Sequence, residues 1–247
     1  MYFPQPDFLL VFARCAGALL LLPPWNWPDV PLTVRVGLAA VVAIALTPLV
    51  AGNIAVMSWM ALLAGLFREL AVGLSLGFVG ALVFWGALLA GQVIEHYVTS
   101  GPIAGFSDDQ TGPLARLYYL LALVLLIVIG GHYWLIEQLY ASFEAVPVGG
   151  ALATGALMGG VVEAGSQMFL AGVLMAAPVI TALFLADVVL AMLARAVPNL
   201  AWGTMQPAVR WPVALLALVI TLPLLQQFVA WQFATMQSSL AAFVNSL

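Results

Sequence analysis

Lysine is missing from this chain, and charge of either sign is sparse. Charged residues make up 6% of 247 positions, where an ordinary soluble domain is about a quarter charged. Arginines scattered at 14, 35, 68, 116, 195 and 210 cannot build the basic stripe that a nucleic-acid surface needs. With one cysteine, Cys15, set in an apolar run, no internal disulfide can form, and the residue reads as a small buried hydrophobe. The two histidines stand alone: Glu95-His96 and His132 with Glu137 lack both a third ligand and the His-x-x-x-His spacing of a helical zinc site. No Gly-x-Ser-x-Gly elbow, P-loop or Gly-x-Gly-x-x-Gly turn occurs. No metal, cofactor or catalytic residue is therefore expected.

Apolar residues take the place of charge. They form 65% of the chain, and the mean hydropathy of +1.14 belongs to a membrane-class polypeptide. The length suits about six spans of about 20 residues, with nothing left over for a soluble domain, so residues 1–247 read as one all-α membrane domain. The amino-terminal stretch has no basic n-region, Arg14 interrupts it, and Pro23-Pro24 stands where a cleavage site would need small residues; it is expected to be retained.

Charge-free runs predict the helices: Phe8–Leu22, Val36–Val50, Leu70–Ile94, Leu117–Ile136, Ala164–Ala196 and Trp211–Ala230, with shorter additions at Met57–Phe67 and in the tail Gln226–Leu247. Residues 1–150 then form an amino-terminal helical part and 164–230 a carboxy-terminal hairpin. Pro178, Pro212 and Pro223 fall inside the last two helices and predict kinks, whereas Pro207 reads as punctuation between helices. Arginines cluster in the loops after the first, third and fifth helices, which places those loops in the cytoplasm and both termini outside. Gly73-x-x-x-Gly77, Gly86-x-x-x-Ala90 and Gly155-x-x-x-Gly159 allow close helix approach, within the chain or onto another subunit.

Arg14, Glu95, Asp187 and Arg195 put charge where the solvent is oil, and each needs a partner or a wet path. Asp187 and Arg195 lie about 12 Å apart along one helix, so they do not pair, and their partners are expected elsewhere, including on another chain. For Arg195 the alternative is snorkelling to the interface; a short carboxylate cannot do that. The loop from Glu95 to Arg116 is unusual in having an apolar centre, Gly101-Pro102-Ile103-Ala104-Gly105-Phe106, ahead of two acids. It reads either as a re-entrant, pore-lining segment or as a surface loop with a few hydrophobes.

Four blocks in order, FARCAGALLLLPPWNWPDVPLTVRVGLAA, ELAVGLSLGFVGALVFWGALLAGQVIE, GGHYWLI with VPVGG, and AAPVITALFLADVVLAMLARAVPNL, resemble the FliR/SctT family of type III secretion export-apparatus proteins from about Phe12 to Leu225. The Gly77–Trp85 and Phe184–Asp187 stretches look more like the injectisome branch, SctT, than the flagellar one. The resemblance implies a non-enzymatic subunit of an export gate, in the bacterial inner membrane and displaced toward the periplasm on assembly. It implies R/FliP-type and S/FliQ-type neighbours, a U/FlhB-type switch protein, a V/FlhA-type export protein, and unfolded secreted proteins as cargo. It also implies a plug at about 98–113, centred on residues 101–106. From the residues alone, the competing function is a small secondary transporter using Asp187 or Glu95 as a proton or cation site.

Overall fold

In a computed structural model of the chain, the residues described are 6–23, 30–50, 58–100, 112–149, 154–196 and 202–246. Among them the regular structure is entirely helical: α1 (Pro6–Leu21), α2 (Leu32–Val50), α3 (Trp59–Ser100), α4 (Pro113–Val128), α5 (Gly131–Ala145), α6 (Thr154–Ala196) and α7 (Trp202–Ser246). Four helices are long and apolar enough to cross a membrane, or five if α4 and α5 count as one broken span. The protein is an all-α, multi-pass membrane protein.

Helix ends follow local chemistry. Pro23 stops α1, since it has no N–H to continue the ladder and biases the residue before it away from helix. Ser58 opens α3 as a side-chain cap, its Oγ accepting from the Ala61 N–H at 3.3 Å. The expected short helix at Met57–Phe67 is, from Trp59 on, the first part of α3, which runs unbroken through Arg68 and Glu69 for 42 residues; Met57 lies outside the described residues. Likewise the tail beyond Gln226 continues α7, which holds Pro207, Pro212 and Pro223 within its 45 residues; Pro207 is helical and not punctuation. At 1.5 Å per residue α3, α6 and α7 are each about 63–68 Å long, twice the roughly 30 Å of a hydrocarbon core. The expected fourth helix is instead cut in two. Gly130 adopts φ 72, a left-handed conformation open to glycine at no steric cost. Its N–H bonds to Ile127 O at 3.1 Å, closing α4 before α5 begins.

The chain divides into two compact units, residues 1–83, 126–166 and 233–247 in one, 84–125 and 167–232 in the other. In the first, α1 and α3 touch backbone to backbone. A Cβ at Gly17 would lie 2.7 Å from Leu70 O, and one at Gly73 or Gly77 would run into the backbone carbonyls of Arg14 or Ala18. The Gly73-x-x-x-Gly77 pattern is thus spent on packing within the chain. Leu10, Val11, Cys15 and Ala18 of α1 and Val72, Leu76 and Val79 of α3 are buried around that crossing. In the second unit the same device joins α3 to α6, where a Cβ at Gly86 would meet Met168 O at 3.3 Å and one at Gly172 would meet Gly86 O at 2.9 Å. By contrast Gly159 faces open space.

Candidate functional site

Both units hold an arginine–carboxylate pair among apolar helices. In the first, Arg14 has no exposed surface. Its Nε donates to Glu69 Oε2 at 2.6 Å, Nη1 to Ser142 O at 2.7 Å, and Nη2 to Val146 O at 2.9 Å. The guanidinium also lies 4.1 Å over the Phe143 ring, a cation–π contact strengthened by the absence of water. Two of its acceptors are carbonyls at the carboxyl end of α5: Ser142 O, which also takes the Val146 N–H at 3.0 Å, and the carbonyl of Val146, the residue that caps the helix. The cation therefore closes α5 at the negative end of its dipole. The second oxygen of Glu69 accepts from Gly149 N–H at 3.0 Å, where φ is 79. Glu69, which the sequence sets beside Arg68, belongs instead to Arg14, 55 residues earlier.

The pair in the second unit is less enclosed by its own chain. Arg210 Nε donates to Asp187 Oδ1 at 3.0 Å and Nη2 to Oδ2 at 3.2 Å, a bidentate fork, while the Tyr97 hydroxyl donates to Oδ2 at 3.0 Å. Three donors thus converge on one carboxylate. The Asp187 side chain keeps 18% of its surface accessible and Arg210 8%, against 3% for Glu69 and none for Arg14. Asp187 finds its partner away from Arg195 and within the same chain, one of the places the sequence left open. A sequence signal for the pair existed. Asp187 sits nine residues before the end of α6 and Arg210 eight after the start of α7, so an antiparallel hairpin brings them opposite each other. Arg195 is exposed in the last turn of α6.

Glu95 lies within α3, which continues to Ser100, and so does not open a loop as expected. Its Oε2 accepts from Ala115 N–H at 3.3 Å, in the first turn of α4. The plug residues Gly101, Pro102, Ile103, Ala104, Gly105 and Phe106 fall outside the described residues. Pro178 lies inside α6 and Pro212 and Pro223 inside α7. Pro178 borders a cavity of about 50 Å³ whose walls include Leu174, Thr221, Leu225 and Phe228. His132 lies against Tyr133 with ring centroids 4.0 Å apart and ring planes tilted by 40°.

A family model described as bacterial export proteins, family 1, matches residues 6–236. The flagellar biosynthetic protein FliR of Escherichia coli (strain K12) is 30% identical over 224 residues, covering 89% of this chain and 85% of that protein. The surface presentation of antigens protein SpaR of Shigella flexneri is 25% identical over 138 residues, 55% of this chain and 53% of its own. The Yop proteins translocation protein T of Yersinia pestis is 26% identical over 158 residues, 62% and 60% of the two chains.

Proposed function

The chain belongs to family 1 of the bacterial export proteins, and from that premise we propose that this component of a type III export apparatus is a core subunit of the export gate. It sits in the bacterial inner membrane and scaffolds and gates a channel for unfolded proteins. The flagellar relatives cover more of the chain, and the similarities to SpaR and to the Yop proteins translocation protein T are consistent with a leaning to the injectisome branch. Its neighbours in this reading are R/FliP-type and S/FliQ-type gate subunits, with the U/FlhB-type and V/FlhA-type proteins on the cytoplasmic side.

The observation that carries the reading is the uncovered length of α6. Large apolar side chains stand exposed along it from Val162 to Leu193, a stripe about 47 Å long at helical rise. A hydrocarbon core of about 30 Å cannot cover that length without extreme tilt. Exposed apolar surface beyond the lipid would face water, at about 25 cal/mol for every Å². Protein neighbours remove that cost, and a helix shared among subunits of a gate has them. The role needs no bond-making chemistry, only packing, a path and a seal; we assign the seal to residues 101–106. Affinity purification in mild detergent tests the reading. A stable complex with two smaller, multicopy membrane proteins is expected, and recovery of the chain alone or as a homodimer would overturn it.

A further inference from the structure

The α6–α7 hairpin is weakened in both of its helices at one level. Pro178 brings no N–H to the Leu174 carbonyl, and Pro223 brings none to that of Val219. The Asp187–Arg210 fork fixes the antiparallel register, and in that register the 174–178 turn of α6 stands opposite the 219–223 turn of α7. Beside each proline a threonine hydroxyl bonds back to the carbonyl four residues earlier, Thr181 to Ala177 O and Thr221 to Ala217 O, both at 2.8 Å. Such back-bonds bend helices. Pro207 and Pro212 have no proline opposite them in α6, so only this level is weakened on both sides. The cavity of about 50 Å³ lies here too, with Leu174 and Pro178 on one side and Thr221, Leu224 and Leu225 on the other. Close-packed interiors resist bending because every side chain must move; a gap at the weakened level gives the bend room.

The two sides of this level are held differently. Just before it, Gly172 of α6 lies against Gly86 of α3 so closely that a Cβ would meet Gly86 O at 2.9 Å. Beyond it, Val179 and Leu183 of α6 are buried, and so are Leu218 and Ala214, which the register sets opposite them; the two helices therefore move as a pair. From Phe184 to Leu193 large apolar side chains of α6 stand exposed, and the Tyr97 hydroxyl of α3 ties this end down through Asp187. We propose that the hairpin is a hinged arm that bends at the Pro178 and Pro223 turns, into the room the cavity gives, and is latched to α3 by the Tyr97–Asp187 hydrogen bond. The hinge is a property of the chain. Its use, tilting the arm to widen the path as cargo passes, rests on the gate reading above.

Spin labels on Gln92→Cys of α3 and Leu193→Cys of α6, both exposed positions, report the distance from arm to α3 in the purified full chain with Cys15→Ala. Tyr97→Phe should raise the population at longer distance about fivefold, the factor for one ordinary hydrogen bond. Pro178→Ala with Pro223→Ala restores both missing N–H groups, and added to Tyr97→Phe it should return the distribution to its starting form. An unchanged distribution in Tyr97→Phe would overturn the latch, and one that stays broad after both prolines are replaced would overturn the hinge. Secretion by cells carrying the assembled gate tests the use: the double proline variant should assemble normally and lose most export. Normal export by that assembled variant would overturn the widening role and leave the gate reading standing. Recovery of the chain without gate subunits would overturn the gate reading and leave the hinge.

Discussion

Arg14–Glu69 and Arg210–Asp187 are the same chemical pair in two different settings, and the difference separates a fold element from an adjustable one. Arg14 is dry, and its partners include a carboxylate, two carbonyls and an aromatic face. Desolvating two ions costs several kcal/mol each, offset only when geometry and extra hydrogen bonds are complete; here they are. Asp187 keeps 18% of its side-chain surface uncovered by this chain and takes its third donor from a tyrosine hydroxyl. With fewer fixed groups of the chain around it, this pair has room to part. The first pair therefore fixes α1, α3 and the end of α5 together, while the second can open at modest cost.

The largest expected effect comes from splitting the dry pair. Glu69→Ala leaves an unpaired guanidinium with no water, at a cost of about 3–5 kcal/mol, and also frees the Gly149 N–H. The protein should fail to accumulate in membranes, whereas Arg14→Met with Glu69→Leu should recover much of the loss, since apolar residues of similar volume often replace a buried pair without penalty. Folded protein recovered in detergent measures both. Normal accumulation of Glu69→Ala would remove the distinction between the two pairs.

A second contrast concerns glycines. Gly73→Ala forces α1 and α3 apart at the Arg14 carbonyl, an overpacking that typically costs about 1–3 kcal/mol. Gly159→Ala meets nothing within 4 Å and should raise helix stability by up to about 1 kcal/mol in the isolated chain. Thermal melts of the two variants should move in opposite directions. If Gly159→Ala is neutral alone but blocks recovery of the complex, that face of α6 packs on another subunit.

Much of the fold was legible because charge-free runs in a membrane protein can hardly be anything but helix. What escaped depended on partners distant in sequence. Arg68-Glu69 looked like a boundary, yet α3 passes through it because Glu69 is neutralised by Arg14 across the α1–α3 crossing. The break at Gly130 left no trace in hydropathy, lying in an apolar run where only backbone conformation changes. Arg14, Glu95 and Asp187 stood out as charges in oil; their partners did not. Only Asp187–Arg210 could have been paired from spacing about a hairpin turn. Arg14–Glu69 required the α1–α3 contact itself, and Glu95 required α3 to extend past the point where the apolar run ends.

Smaller effects belong to the less enclosed pair. Tyr97→Phe removes one of three donors to Asp187 and should cost about 1 kcal/mol, an ordinary hydrogen bond. Asp187→Leu should cost more, because Arg210 stays buried and unpaired, and adding Arg210→Leu should recover part of it. Because the partner is within the chain, these losses should appear in the isolated subunit. A defect confined to assembly would mean that the carboxylate acts across a subunit boundary instead.

The smallest expected effect on stability, and the most direct test of orientation, is at Arg195. Its side chain is exposed at the end of α6 and contributes to the arginine excess from which this end of the hairpin is expected in the cytoplasm. Arg195→Cys in a Cys15→Ala background should leave expression and complex recovery unchanged, with the introduced thiol as the only one present. Cys15 is fully buried, so its replacement by the smaller alanine trims one side-chain atom from the packed α1 without adding a polar group. A membrane-impermeant maleimide should label position 195 in inverted vesicles and not in intact spheroplasts. Labelling from the outer face would reverse the hairpin, leaving the Asp187–Arg210 pair unaffected, since it depends on α6 lying against α7 and not on which side of the membrane their junction faces.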